Sequence, residues 1–352
     1  MKKKINIPYR LINNFPLLKK KDNFKLLVYY KKKKKIVNKN YNYLFKFFKK
    51  KDLLLRNNIK FIPSLLYGIK ENTKSKLKIF LLKEINKKKN LWEVLVKPAR
   101  KIRIGNIIIF KFKKNLILKS KVINNTNSSG RILKFIINNN KKLKKILLKY
   151  GKIKLPNIIK LKNKKNINFY QNVYSKILGT NILPNNSINL SKIFFLKLLI
   201  NNIYISDITI YNNIYNLFKF KTIKDLNKNK NFYEKLIINK KNSKLINKTL
   251  KSKRKICALG IDILINLENI VNTNISKKVY PFKGWINNSN FIYKKKFNII
   301  NTLLTDFPYP YTFNFLILSN FCGGYDKLIN IYNHAINNNY KLLSFGDMLL
   351  IK

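Results

Sequence analysis

Histidine occurs once in these 352 residues, at His334, and cysteine only twice, at Cys257 and Cys322. A single imidazole makes a histidine-based zinc site or a Ser-His-Asp triad hard to build. The two cysteines stand far apart, with no CxxC spacing and no histidine nearby, so they read as reduced, packed thiols rather than ligands or a disulfide. Acids are scarce as well, 13 Asp and Glu together. Proton transfer therefore falls to a small set of carboxylates, to tyrosine or to lysine. No uninterrupted apolar run approaches the roughly 18 residues of a membrane span, and MKKKINIPYR lacks the apolar stretch of a signal peptide. The expected location is the cytoplasm.

What the chain has in excess is lysine. Lys and Arg total 76, which gives a formal net charge of +63, enough to make a compact monomer repel itself unless a polyanion is present. An RNA partner relieves that repulsion. Lys, Asn and Ile also dominate the loops, the pattern that A/T-rich codon usage produces, so the charge permits nucleic-acid binding without locating a site. A hydrophobic fraction of 46% argues for a folded chain long enough for a large core or two domains.

The pattern changes along the chain. Lys25 to Tyr30 reads as an extended segment, followed by the lysine run Lys31 to Lys35, read as a solvated loop. Between Phe61 and Asn124, short β-branched runs (FIPSLLYG, KLKIFLL, LWEVLV, KIRIGNIIIFKF, LILKSKVI) recur at intervals of roughly ten residues, the spacing of a compact β-barrel. RILKFII adds one more strand. Leu143, Ile146, Leu147 and Tyr150 share one helical face, and Gly151 supplies a stop. Beyond it, helical stretches (Lys192 to Asn202, Asp262 to Val271, Asp326 to Asn337) alternate with strand-like ones (Ile203 to Ile210, Ile256 to Leu259, Asn314 to Leu318). That alternation predicts an α/β layer. Lys219 to Lys255 reads as loop-rich. The expected architecture is α/β in two domains: residues 1–60 and 140–352 form a discontinuous α/β domain, interrupted by a smaller inserted β-barrel over 61–139.

Four blocks carry a family signature in order: NNIKFIPSLLYG from Asn57, LWEVLVKPARKIRIG from Leu91, YQNVYS from Tyr170 and YKLLSFGDMLLI from Tyr340. With them the chain resembles the S-adenosylmethionine:tRNA ribosyltransferase-isomerase family of queuosine synthesis, from about Ile5 to the C-terminus. Elsewhere it departs from the family pattern. Lys60 replaces the usual Arg, losing a bidentate fork and keeping the charge. Pro-Thr-Ala-Gly-Leu-His-Phe becomes Pro184 to Leu190, with Asn189 at the histidine. Thr-Leu-His-Val-Gly-Ala-Gly-Thr becomes Thr209 to Asn216, with both glycines lost. Val-Gly-Thr-Thr-Ser-Val-Arg-Ser-Leu-Glu becomes Leu259 to Glu268, keeping Gly260 and Glu268 and losing the arginine at Ile265. Thr-Asn-Phe-His becomes Thr305-Asp306-Phe307-Pro308.

The resemblance implies an α/β domain interrupted by a β-barrel, and a reaction in which the ribosyl part of S-adenosylmethionine passes to an aminomethyl-deazaguanine base of tRNA. Adenine and methionine leave, and the ribose becomes the epoxycyclopentanediol of epoxyqueuosine. S-adenosylmethionine is then a co-substrate; no bound cofactor or metal is required, and a monomer with tRNA as partner is expected. The carboxylates Asp347, Glu268 and Asp306 are the acid/base or sulfonium-facing candidates. Asn57, Asn58, Lys60, Tyr170, Gln171, Pro184, Asn189, Thr209, Gly260 and Ser344 are the binding candidates. Alternatives remain open at this point. Asn57 and Asn58 also suit a crossover into the insert, Asp347 suits a turn before a strand, and the missing His, Gly and Arg positions suit an RNA-binding remnant that has lost catalysis. If the charge serves RNA, affinity measured by filter binding falls at least tenfold between about 50 and 200 mM salt; a change below about twofold would mark the lysines as codon drift.

Overall fold

The structure, a computed structural model, describes residues 5–13, 21–113, 116–126, 130–137, 143–153, 170–180, 182–183, 185–212, 232–272, 276–289, 291 and 296–352. In chain order the strands and helices are β1 (Lys25–Tyr30), β2 (Lys35–Asn40), β3 (Leu53–Asn57), β4 (Ile59–Phe61), β5 (Leu65–Lys70), β6 (Lys76–Asn86), β7 (Leu91–Lys97), β8 (Ile107–Lys111), β9 (Ile117–Asn125), β10 (Arg131–Ile136) and α1 (Leu143–Tyr150). They continue as β11 (Ile177–Thr180), α2 (Asn185–Ile188), α3 (Lys192–Ile200), β12 (Tyr204–Tyr211), β13 (Tyr233–Ile238), α4 (Lys240–Lys251), β14 (Ile256–Leu259), α5 (Ile261–Asn272), β15 (Phe282–Asn287), β16 (Thr302–Thr305), α6 (Phe313–Cys322), α7 (Tyr325–Asn337) and β17 (Met348–Ile351).

Nine strands form the main sheet in the order β15-β13-β12-β3-β14-β16-β17-β1-β2. β12, β3, β14 and β16 run parallel; β17 turns antiparallel to β16 and is parallel to β1. The carboxyl ends of the four parallel strands thus share an edge with the amino ends of β17 and β1. Side chains alternate strictly between two cores, as a period of two demands. Leu53, Leu55, Ala258, Leu303 and Leu349 enter one core with α5, α6 and α7, while Leu54, Cys257, Leu304 and Leu350 enter the other with Phe194 and Leu198 of α3. Cys257 and Cys322 belong to opposite cores, both free and buried, and burial pushes the Cys257 thiol up to about 12.

The insert is a closed six-stranded barrel, β10-β7-β6-β5-β8-β9. Its interior holds alternating residues such as Ile79, Val94, Ile108, Phe110, Val122 and Leu133. The helix placed by sequence with the α/β half, α1, instead buries Leu143, Ile146 and Leu147 among these barrel side chains. Lys152 then pairs with Leu65 through two backbone hydrogen bonds, closing the insert where it opened.

Two further sequence expectations change. Asn314 to Leu318, expected as a strand, lies in α6, which is capped by Thr312 accepting from the Phe315 amide and ended by Gly323 at φ +89°. The segment FNFLILSNFC is buried on nearly all sides and so carries no helical period to read. Lys219 to Lys255, expected as loop, contains β13 and α4, with residues 219–231 outside the described set. Only Ser243, Ile246 and Thr249 of α4 are buried, so lysines mask a narrow apolar stripe. Among the described residues no helix is long and apolar enough to cross a membrane.

Gly68 of β5 marks how tightly the barrel is filled. A β-carbon there would stand 2.8 Å from Ile108 Cγ2 and 3.0 Å from the Phe110 ring, both fully buried. Gly68→Ala is expected to cost about 1–3 kcal/mol in urea unfolding, because neither neighbour has room to retreat.

Candidate active site

Asn57 closes β3 at the edge where the parallel strands end. Its Nδ2 donates to Asp262 Oδ2 (2.9 Å), Ile210 O (3.1 Å) and Asn212 Oδ1 (3.1 Å), and its Oδ1 accepts from the amides of Ile210 (3.0 Å) and Ile59 (3.2 Å). One buried amide thereby ties β3, the end of β12, the start of β4 and the first turn of α5. Asn58 Oδ1 accepts from Thr209 Oγ1 at 2.8 Å. Three of the sequence candidates, Asn57, Asn58 and Thr209, are therefore brought together.

Gly260 joins β14 to α5 at φ +111°, a conformation costly for residues with a β-carbon, and its amide donates to Leu304 O. The turn delivers Asp262 into the first turn of α5, where the helix dipole favours negative charge. Asp262 Oδ2 takes both Asn57 Nδ2 and Asn212 Nδ2 (3.1 Å). Burial nevertheless holds its carboxyl above the usual carboxylate range, with the two amides pulling the other way. Asp306 follows β16 on the neighbouring strand. Burial pushes its carboxyl up to about 7; the Thr305 hydroxyl, which donates to Oδ1 at 3.4 Å, lowers it, and the charge of Asp262 raises it. Asp262, just past β14, and Asp306, just past the neighbouring parallel strand β16, thus feel one another's charge.

Asp347 is held differently. Its Oδ1 accepts from the Lys25 amide and its Oδ2 from the Lys341 amide, both at 2.7 Å, so it clasps the start of β1 to the turn before β17. Burial raises its carboxyl, opposed by those amides and the two lysines. In the same turn a β-carbon on Gly346 would collide with the Lys341 carbonyl, which accounts for glycine there. Asn189 Nδ2 donates to Gly346 O at 3.0 Å, and its buried Oδ1 has no hydrogen-bond partner among the described residues. Tyr170 is buried against Ile188 and Phe345, with the Tyr170 and Phe345 rings 6.1 Å apart, so its face is spent on packing; Ser344 lies buried beside it in sequence.

The remaining candidates stand apart from the carboxyl pair. Gln171 copies a strand partner, donating to Phe61 O (2.7 Å) and accepting from the Phe61 amide (2.9 Å). Lys60 lies in β4, paired with Leu178 of β11. Glu268 is fully buried further along α5, accepting from the amides of Asn298, Ile299 and Ile300 at 2.7 Å each. Three backbone donors make it an anchor for the segment entering β16. Pro184 lies outside the described residues.

Asp262, Asn212 and the pair Arg56–Asp207 were not among the sequence candidates. Arg56 Nε meets Asp207 Oδ1 at 2.5 Å, and its guanidinium lies over the rings of Tyr174 (4.3 Å) and Phe195 (4.7 Å). The available signal was scarcity, since Asp207 and Asp262 are two of only 13 acids.

The raised carboxyl of Asp306 makes stability depend on pH. The fold binds its proton more tightly than the unfolded chain does, so stability falls as pH rises from about 4 through 7. Asp306→Asn is expected to stabilise the protein by about 1–2 kcal/mol at pH 8 and to leave it unchanged at pH 4 in urea titrations at the two pH values.

Comparison with known proteins agrees along the whole chain. Residues 4–351 match the profile of a family described as Queuosine biosynthesis protein. The S-adenosylmethionine:tRNA ribosyltransferase-isomerase of Parabacteroides distasonis is 31% identical over 351 residues, covering 99% of this chain and 98% of the relative. That of Flavobacterium psychrophilum is 32% identical over 349 residues, covering 98% and 97%. The crystal structure of the S-adenosylmethionine tRNA ribosyltransferase from Thermotoga maritima is 18% identical, with a TM-score of 0.53 over 99% of both chains, a likeness of fold.

Proposed function

Since this chain belongs to the queuosine biosynthesis protein family, we propose that Asp306, Asp262, Asn57, Asn212 and Thr209 form the place where it acts on its substrates. The protein is a tRNA-modifying enzyme, an S-adenosylmethionine:tRNA ribosyltransferase-isomerase, with S-adenosylmethionine as co-substrate. The ribosyl group forms a bond to the aminomethyl nitrogen of the deazaguanine base. The bonds to adenine and to the methionine sulfur break, and the rearranged ribose gives epoxyqueuosine.

The observation that carries the site assignment is the Asp306 carboxyl, pushed up to about 7 beside Asp262. A group that titrates near the working pH is populated both as base and as acid, which suits removal of a proton next to a sulfonium and its return to departing adenine. Asp262, steadied by two amides, presents negative charge towards the sulfonium, an interaction that strengthens where water is excluded. Asn57, Asn212 and Thr209 keep the strand ends in register, so that much of the rate comes from positioning an already activated leaving group. Asp347 and Glu268 brace neighbouring segments through backbone amides, Asn58 accepts from Thr209, and Gly260 turns the chain into α5.

A tRNA substrate supports work in the cytoplasm, and a monomer is the proposed state. The proposed division is into a barrel and an α/β part, with α1 packed among the barrel side chains.

Adenine release from S-adenosylmethionine in the presence of tRNA carrying the aminomethyl-deazaguanine base tests the assignment. Asp306→Asn is expected to lower kcat by about 10²–10⁴ while KM for S-adenosylmethionine stays within a few fold, and the wild-type rate is expected to fall below about pH 7 as Asp306 takes up its proton. Full activity in the folded variant would remove Asp306 from the chemistry.

A further inference from the structure

On the same sheet edge, beyond Asp347, lies a groove of about 320 Å³ with no acidic side chain in its lining. Lys25, whose backbone amide holds Asp347, belongs to its lining. Its floor is fixed by hydrogen bonds. Asn38 Oδ1 accepts from Tyr340 OH (2.9 Å) and stands 3.0 Å from His334 Nε2, while Asn38 Nδ2 donates to Asn338 Oδ1 (3.1 Å). Burial, with the charge of Asp347 second, pushes the Tyr340 hydroxyl up to about 12, so it remains a donor at neutral pH. Lys25 Nζ donates to the carbonyls of Asn338 and Asn339 at the C-terminal end of α7 (3.0 and 3.2 Å), where the helix dipole favours a cation.

The outer wall is a cation-flanked ring. Tyr43 is 39% exposed, with Lys39 Nζ 4.5 Å and Lys46 Nζ 4.9 Å from its ring centroid. A half-exposed ring with two ammonium groups over it, and amides at hand, matches what an unpaired nucleotide offers: a phosphate to draw a lysine off the ring, a π-face to stack in the lysine's place and base edges to hydrogen-bond. A double helix keeps its bases stacked inside and has no face to give the ring.

We propose that the groove formed by Lys25, Asn38, Lys39, Asn40, Tyr43 and Tyr340 is a nucleotide subsite that takes one unpaired base and its phosphate from the RNA substrate. The inference rests on the reading of the strand-end cluster as the site of the reaction. From β16, which carries Asp306, to β2, which carries Lys39, is three strand spacings, or roughly 14 Å. A few unstacked nucleotides bridge that span, so the subsite holds a neighbour of the modified base and fixes its register. Asn40, also in the lining, lies opposite Lys25 in the β1–β2 pairing, at the end of β2.

The test compares full-length wild type, Tyr43→Ala, Tyr43→Phe and Lys39→Ala in binding to an RNA hairpin with a seven-nucleotide unpaired loop and to a fully paired RNA duplex, by fluorescence anisotropy. Thermal melting confirms that each variant is folded. Tyr43→Ala is expected to weaken hairpin binding about tenfold and duplex binding by less than about twofold, with Tyr43→Phe restoring hairpin affinity. Lys39→Ala is expected to reduce the log–log salt slope for the hairpin by about 0.7. Hairpin affinity unchanged in Tyr43→Ala, or reduced equally for hairpin and duplex, would overturn the subsite. Failure of the wild type to release adenine with modified tRNA would instead strike the reading of the strand-end cluster, and a Tyr43 effect confined to the hairpin would leave the subsite standing.

Discussion

The side-chain amide of Asn57 sits where the chain must leave the main sheet for the barrel, and it answers five backbone and side-chain groups at once. Without it, the amide and carbonyl of Ile210, the amide of Ile59 and the carboxylate of Asp262 would lose a partner at a nearly buried crossing, where each unmet group costs about 1–3 kcal/mol. The barrel insertion, the end of β12 and the first turn of α5 all take their relative positions from this junction. A site built on it inherits rigidity from the sheet rather than from a loop.

The electrostatic balance at the strand ends is decided locally. The chain carries +63, and a uniformly basic surface would lower the pKa of any carboxyl that felt it. Exposed lysines are screened beyond about 8–10 Å, whereas burial and a neighbouring carboxylate act without a salt shield. Burial therefore wins at Asp306, which stays near neutrality in its protonation balance despite the lysines. Asp347 and Glu268 show the other use of an acid, in which backbone amides occupy the oxygens and the carboxylate becomes a strut. The same residue type thus serves two ends, separated by what its oxygens touch.

Much of the fold was legible. Alternating β-branched runs gave the barrel, and the α1 and α7 patterns had an apolar face, α1 with Gly151 as its end signal. α6 was misread because burial on nearly all sides erases periodicity, although Thr312 and Gly323 marked its ends. α4 was missed because lysines outnumber its buried positions. At the site, resemblance drew attention to residues such as Tyr170 and Gln171 whose geometry is that of scaffolding. Asp262 went unselected because it replaces a family threonine, so no motif pointed to it. Only the juxtaposition of β14 and β16 brings its charge to bear on Asp306. Burial and strand adjacency, which decide a carboxyl's chemistry, have no local signature in sequence.

The central claim is that S-adenosylmethionine binds at the ends of the parallel strands. A crystal structure of the protein soaked with S-adenosylmethionine tests it most directly. Ligand density is expected between the end of β3 and the turn before β17, with the sulfonium facing Asp262 and Asp306. Density confined to the barrel, or to the outer face of the sheet away from these carboxyls, would contradict it.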